Sequence, residues 1–287
     1  MPCEEMAGKA RSQPSRPLDL PEGVPPLTAL YLYIAGACNL ACRHCWIEPA
    51  FDPSGNGGQF VKLEHVEKAI REGNPLGLQS VKLTGGEPTL HPQFRELVAL
   101  LADVGLDITI ETNGTLLDDG LASYLRETGR VSFVSVSVDG ATAEVHEALR
   151  VVPGSFEAAL DGIRALVRAG YHPQMICTLH RGSAAQMGGV MALAERLGCG
   201  SVKFNHVQSS GRGEQYAAEE GLAVAEVLGL GRALERELLP QAKIPVYFDV
   251  PVAFHSMRRL THDPLGSCRI LNILGMLAGG ELALCGI

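Results

Sequence analysis

Cys38, Cys42 and Cys45 stand in the run CNLACRHC with the spacing CxxxCxxC. Three thiolates on one short loop can hold three corners of a cubic iron–sulfur cluster, which leaves the fourth iron without a protein ligand. An open metal position favours chemistry over stapling, as it does for catalytic zinc. Two other readings compete. A structural zinc site wants four nitrogen or sulfur ligands, and the fourth would be His44, which is adjacent to Cys45 and poorly placed to share one small ion with it. Disulfides want an oxidising compartment, whereas the polar, proline-rich stretch from Met1 to Gly23 lacks the apolar core of a secretion signal.

The elements that must position these thiols alternate along the chain. The cysteine run follows an apolar stretch, residues 29–35, that reads as a buried strand, and further strand-like runs fall at about 79–84, 106–112, 131–138, 173–179 and 201–207. Helical patterns lie between them, from Leu63 to Arg71, Gln93 to Val104, Asp118 to Arg126, Phe156 to Ala169 and Ala184 to Leu197. Gly105, Gly129, Gly170 and Gly198 each follow a helix, and Ser155 is placed to cap the helix that starts near Phe156. Six β–α units predict an α/β fold, a parallel sheet with helices outside it. Residues 29–207 are too few for a closed eight-stranded barrel, so an open, partial barrel is expected, with its chemistry at the C-terminal strand ends.

The remaining motifs fall at those ends. Thr84-Gly85-Gly86-Glu87-Pro88 follows the second strand, Glu111-Thr112-Asn113-Gly114 the third, and Ser135 to Gly140 the fourth. Each alone is an everyday turn. Together they place glycines, which admit a ligand close to the backbone, and polar groups after successive strands. The chain has 287 residues, 46% hydrophobic and 20% charged, the composition of an ordinary globular protein. A net charge of −8 without a lysine- or arginine-dense block argues against nucleic acid as partner. No apolar run approaches the roughly 20 residues of a membrane span. Eight cysteines without a secretion signal point to a reducing cytoplasm.

With CNLACRHC followed one β–α unit later by GGEP, residues 28–215 resemble a radical S-adenosylmethionine (SAM) enzyme. That resemblance implies a partial (β/α)6 barrel of the TIM type with a [4Fe–4S] cluster on Cys38, Cys42 and Cys45. SAM would be chelated by the open iron and reductively cleaved to a 5′-deoxyadenosyl radical that takes a hydrogen from substrate. Gly85, Gly86 and Glu87 resemble the segment that receives the SAM ammonium. Ser137 and Asp139 resemble residues that reach the ribose or the methionine carboxylate, and Arg150 the arginine that pairs with that carboxylate. Asn113 is a further contact or a turn residue. The run from Asn205 to Gly213 resembles the adenine-side loop, with the backbone of Val207 and Gln208 doing the work there, and His44 packs near the cluster and the adenine.

Beyond residue 215, Glu219 to Leu239 reads as a long helix and Val246 to Val250 as a strand. Cys268 and Cys285, with Gly280 between them to turn a hairpin, resemble the opening of a SPASM or twitch extension, which holds auxiliary [4Fe–4S] clusters. Such an extension carries more cysteines than these two, so the sequence is read as truncated. Three regions are expected: a leader (1–27), the partial barrel (28–215) and the start of the extension (216–287). The reading that follows is a peptide-modifying maturase acting on a peptide or protein side chain and reduced by a flavodoxin or ferredoxin. The leader is too short for the N-terminal peptide-binding domain of some such enzymes. Tailoring of a tetrapyrrole or another small cofactor is the alternative, and a non-catalytic Fe–S or zinc scaffold the rival of another class. Cys177 and Cys199 are expected as buried small hydrophobes and, being thiols, as candidates to return a hydrogen atom.

Overall fold

The alternation of apolar and polar residues along the strands sorts the chain into a helix-covered face and a cavity face. The computed structural model describes residues 18–54, 57–249 and 270–284. Its strands are β1 (Ala29–Ala35), β2 (Ala37–Cys38), β3 (Ala50–Phe51), β4 (Ser80–Gly85), β5 (Asp107–Thr112), β6 (Val131–Ser137), β7 (Gln174–Leu179), β8 (Ser201–His206), β9 (Val246–Phe248), β10 (Ile273–Met276) and β11 (Leu282–Leu284). Its helices are α1 (Leu63–Gly73), α2 (Phe94–Asp103), α3 (Asp119–Glu127), α4 (Ala143–Arg150), α5 (Ser155–Arg168), α6 (Met187–Leu197), α7 (Gly213–Glu220) and α8 (Val224–Ala233). Nine strands form one sheet in the order β11-β10-β1-β4-β5-β6-β7-β8-β9. Every neighbouring pair is parallel except β10 and β11.

Leu30, Leu32, Ile34, Val81, Leu83, Ile108, Ile110, Val134, Val136, Val202 and Phe204 are all buried, in one core with helix residues such as Leu97, Leu125, Ile163 and Val190. The residues between them, including Thr84, Glu111, Ser137, Thr178, Lys203 and Asn205, line a cavity on the other face. A slip of one residue would drive Lys82, Glu111 and Lys203 into the core and expose side chains whose burial contributes roughly 1.5–3 kcal/mol each. That difference sets the register.

The six expected strands and the helices between them are present, and Gly105, Gly129, Gly170 and Gly198 take positive φ at the helix ends. Ser155 does not cap α5. Its Oγ is buried without a partner, and Glu147 Oε1 instead accepts from the Gly154 (2.8 Å) and Phe156 (3.3 Å) amides. The expected long helix over 219–239 is broken. α7 stops at Glu220, and a Cβ on Gly221 would meet the Ala217 carbonyl at 2.2 Å. α8 then starts afresh and ends in a π-helical turn, Leu234–Leu238, ahead of Pro240.

The segments beyond 215 extend the same sheet at both edges. β9, shorter than the expected 246–250 strand, pairs with β8, and β10 pairs with β1 from Ala29↔Ile273 to Leu32↔Met276. β10 and β11 form the hairpin that Gly280, at φ +93°, was expected to turn. Cys268 and Cys285 lie outside the described residues. Among the described residues, no helix is long and apolar enough to cross a membrane.

Candidate active site

β1 delivers the chain to the cysteine loop, and backbone pairing fixes both of the loop's ends. β2 pairs with β3 through Ala37↔Ala50 and Cys38↔Phe51. Gly86 N–H donates to the Ala35 carbonyl (2.7 Å) and Glu87 N–H to that of Ala37 (2.9 Å), so the two glycine-rich segments lie against each other. A Cβ on Gly86 would stand 2.0 Å from the Ala37 oxygen, which is why the position takes glycine. From the other side, Arg212 Nε donates to the Cys42 carbonyl (3.0 Å) and Gly213 N–H to that of Cys45 (3.2 Å). The run after β8, read as an adenine-side loop, therefore also clasps the cysteine loop.

The three thiols border one cavity of about 380 Å³. Gly85, Gly86, Asn113, Ser137, Arg150 and Gln208 line it too, as does His44. Val207 does not line it, and its side chain packs with Leu149 and Tyr216. Nor does Glu87, whose carboxylate is fully buried. Its Oε1 accepts from Thr112 Oγ1 (2.6 Å), Thr89 Oγ1 (2.5 Å) and Thr89 N–H (3.1 Å), and its Oε2 from Asn113 N–H (2.8 Å). Glu87, expected at the SAM ammonium, thus has both carboxylate oxygens engaged by protein donors. The side chain braces the ends of β4 and β5, and the exposed backbone of Gly85 and Gly86 is what faces the cavity. Burial pushes its carboxyl up, against the four hydrogen bonds that favour charge.

Asp139, expected at the ribose or the methionine carboxylate, is likewise engaged by protein donors. It is fully buried off the cavity, with Oδ2 taking Arg150 Nε and Nη2, both at 2.7 Å, and Oδ1 taking Thr178 N–H at 2.7 Å. Burial, the largest single influence, would raise its pKa, but Arg150 foremost, with His44, His146 and the Thr178 amide, together outweigh it and hold the carboxyl well below the usual carboxylate range. Breaking such a pair by removing one partner costs about 3–5 kcal/mol. His44 Nε2 is 3.7 Å from Asp139 Oδ2, yet burial takes the imidazole down to about 4, so at neutral pH it is an uncharged ring beside an ion pair. Asn113 turns Oδ1 to Thr115 and Nδ2 to Asn39 Oδ1 (2.8 Å), with Cys38 Sγ at 3.9 Å, joining β5's end to the cysteine loop. Cys177 and Cys199 sit buried in the main core, as expected of small hydrophobes.

The donor set fits a cluster with a polar ligand beside it. Among the described residues, no three His, Cys, Asp or Glu side chains converge on a single metal-ion position. Three thiols bordering one cavity suit a group that takes thiolates at separate corners. Burial pushes the Cys38 thiol up to about 12 and raises that of Cys42, so they stay protonated until a cation displaces their protons. Three cavity residues carry buried polar atoms with no protein partner, Arg212 Nη2, Asn205 Oδ1 and His44 Nδ1. They are donor and acceptor sites that a polar ligand would satisfy. Sequence reasoning did not single out Arg212, Asn205, Lys203 or Trp46, although the period-2 alternation of β8 puts Lys203 and Asn205 on the cavity face.

Such a cavity, bordered by three thiols at the strand ends of a parallel α/β sheet, belongs to a defined class. Residues 32–183 match the radical SAM superfamily, and the chain belongs to it, which implies a [4Fe–4S] cluster and SAM as cofactors. Over 204 residues it is 31% identical to the AdoMet-dependent heme synthase of Oleidesulfovibrio alaskensis, covering 71% of this chain and 51% of that one. Over 184 residues it is 33% identical to mycofactocin maturase MftC of Mycobacterium tuberculosis, covering 64% and 45%. In fold it is similar to Streptococcus suis SuiB bound to its precursor peptide SuiA, with TM-score 0.73 and 14% identity over 92% of this chain and 61% of that one. The chain spans about half the length of the curated relatives it matches.

Proposed function

We propose that the chain is the catalytic core of a radical SAM enzyme that tailors a tetrapyrrole. The observation that carries the cofactor half of this reading is the set of three thiols bordering a cavity whose other walls hold unsatisfied polar atoms. In this reading Cys38, Cys42 and Cys45 hold the cluster, and SAM lies against Gly85, Gly86, Ser137 and Gln208. Bound there, cluster and SAM supply reductive SAM cleavage and hydrogen abstraction from substrate, with electrons from a flavodoxin- or ferredoxin-like donor. The protein's own part is to orient and exclude. Arg150, oriented by Asp139, presents the edge of its guanidinium that the pair leaves over to the SAM carboxylate. Arg212 closes the loop over the thiols, and the part-buried rings of His44 and Trp46 limit the access of water to the reacting centre.

The substrate half rests on the likeness to heme synthases. A second reading, a peptide or protein side chain, draws on the fold shared with SuiB. The C-terminal hairpin supports a SPASM- or twitch-like auxiliary-cluster region, with Cys268 and Cys285 as its first ligands.

The test is anaerobic. The protein is reconstituted with iron and sulfide, reduced with dithionite and given SAM, and 5′-deoxyadenosine is quantified beside a Cys38/Cys42/Cys45→Ala variant. Turnover by the parent and none by the variant is expected. Iron binding without SAM cleavage by the parent would leave a scaffold. Adding a porphyrin tetracarboxylate, or a cysteine-containing peptide, then separates the substrate readings by which one accelerates 5′-deoxyadenosine release.

A further inference from the structure

A second cavity, of about 430 Å³, opens beside the first and is lined by Phe133, Gln174, Lys203, Tyr247, Phe248 and Asp249. The two cavities share Lys203 and Asp249. Together their volume is in the range of sites for ligands larger than SAM alone. The walls of the second are unusual for a protein surface. Phe133 is 39% and Tyr247 49% exposed, two large aromatic side chains on β6 and β9 left open on the same cavity. Between them stand β7, which contributes Gln174, and β8, whose Lys203 pairs in register with Tyr247 and reaches Asp249 with Nζ–Oδ2 at 2.9 Å. Both partners of that ion pair are part-exposed, and such pairs are weakly held, so another carboxylate can displace Asp249. A second lysine–carboxylate pair, Lys82–Glu111 at 2.8 Å, stands across the sheet with Glu111 on the first cavity. Each lysine is balanced by its carboxylate, so an anion is received only where the partner can be exchanged, at Lys203 with its exposed Asp249.

We propose that Phe133, Tyr247 and Lys203 form the substrate subsite, taking a flat aromatic ring system between the two side chains and one of its carboxylates on Lys203. This rests on the tetrapyrrole reading above and adds to it the residues that select for ring and charge. Aromatic faces suit an extended π-system, and an ammonium of exchangeable partner suits a propionate-type carboxylate. The shared Lys203–Asp249 wall brings the edge of a ligand held there to the thiol-bordered cavity, where hydrogen abstraction would occur.

Equilibrium binding tests this without turnover. The reconstituted protein is titrated with coproporphyrin III and, separately, with its tetramethyl ester, following the porphyrin absorbance band. Lys203→Met is expected to weaken the tetracarboxylate about tenfold and leave the ester unchanged, with Lys203→Arg close to the parent. Phe133→Ala and Tyr247→Ala are expected to weaken both ligands. Thermal midpoints and cluster absorbance of each variant show that it is folded and loaded. Tetracarboxylate binding that is the same in the parent, Lys203→Met and Phe133→Ala overturns the subsite and leaves the tetrapyrrole reading standing. A loaded parent that binds neither porphyrin overturns that reading and the subsite with it.

Discussion

His146 shows how much of the site depends on single buried atoms. Its ring is 1% exposed, and Nδ1 accepts the Asp139 amide at 3.1 Å, which requires that nitrogen to be unprotonated. Burial, with Arg150 nearby, lowers its pKa from 6.5 to about 4 despite the attraction of Asp139. Between those values the unfolded chain binds the extra proton and the folded chain does not, so stability rises with pH across that window. Lowering the pH from 7 to 4 should therefore cost about 3 kcal/mol through this group. Urea midpoints measured across the range check it. His146→Gln should flatten the dependence, and an unchanged slope would assign it to other groups. The same Asp139–Arg150–His146 cluster explains why the two ionic residues picked out from sequence meet each other first and the cavity second.

At the level of elements, the cysteine loop is clamped by chain far away in sequence. Gly211 takes φ +55°, and a Cβ there would lie 2.7 Å from the Trp46 oxygen and 2.9 Å from that of Cys45. Gly211→Ala should displace the loop locally, because the clash is with backbone that carries a thiol and the core is not involved. Iron per reconstituted chain is expected to fall severalfold while the thermal midpoint of the apoprotein shifts by only a few degrees, corresponding to about 1 kcal/mol. Full iron loading would mean that the loop holds its shape without this clasp. Period-2 alternation places Ser137 and Lys203 between buried residues, so the side of the strand each occupies is a local property of the sequence. The break at Gly221 was not readable, because a glycine inside an apolar-periodic run is compatible with a helix until its neighbours are known.

For the whole molecule, the sheet's edges matter most. β1 would be an edge strand but for β10, and β8 but for β9. A chain ending at residue 269 would leave the β10-facing edge of Ala29–Leu32 unpaired, while β4 still holds the other side of the strand that feeds the cysteine loop. It should self-associate, seen as a larger mass by light scattering, whereas a monodisperse product like the parent would show that the hairpin is dispensable. By itself the sequence determined the class of fold, the positions of the β–α units, the thiol loop and the hairpin at Gly280, because periodicity, turn chemistry and ligand spacing are local. Which polar groups face the cavity was decided only by tertiary structure. Glu87 and Asp139 carry the right chemistry at the right strand ends, but burial without a partner is so costly for a carboxylate that each is held by donors from other strand ends and helices as well as any close in sequence, Thr112 and Asn113 for Glu87, Arg150 and Thr178 for Asp139. Arg212, Asn205 and Lys203 reach the thiols' cavity from β8 and the turn after it, because a curved parallel sheet brings its distant strands around one centre.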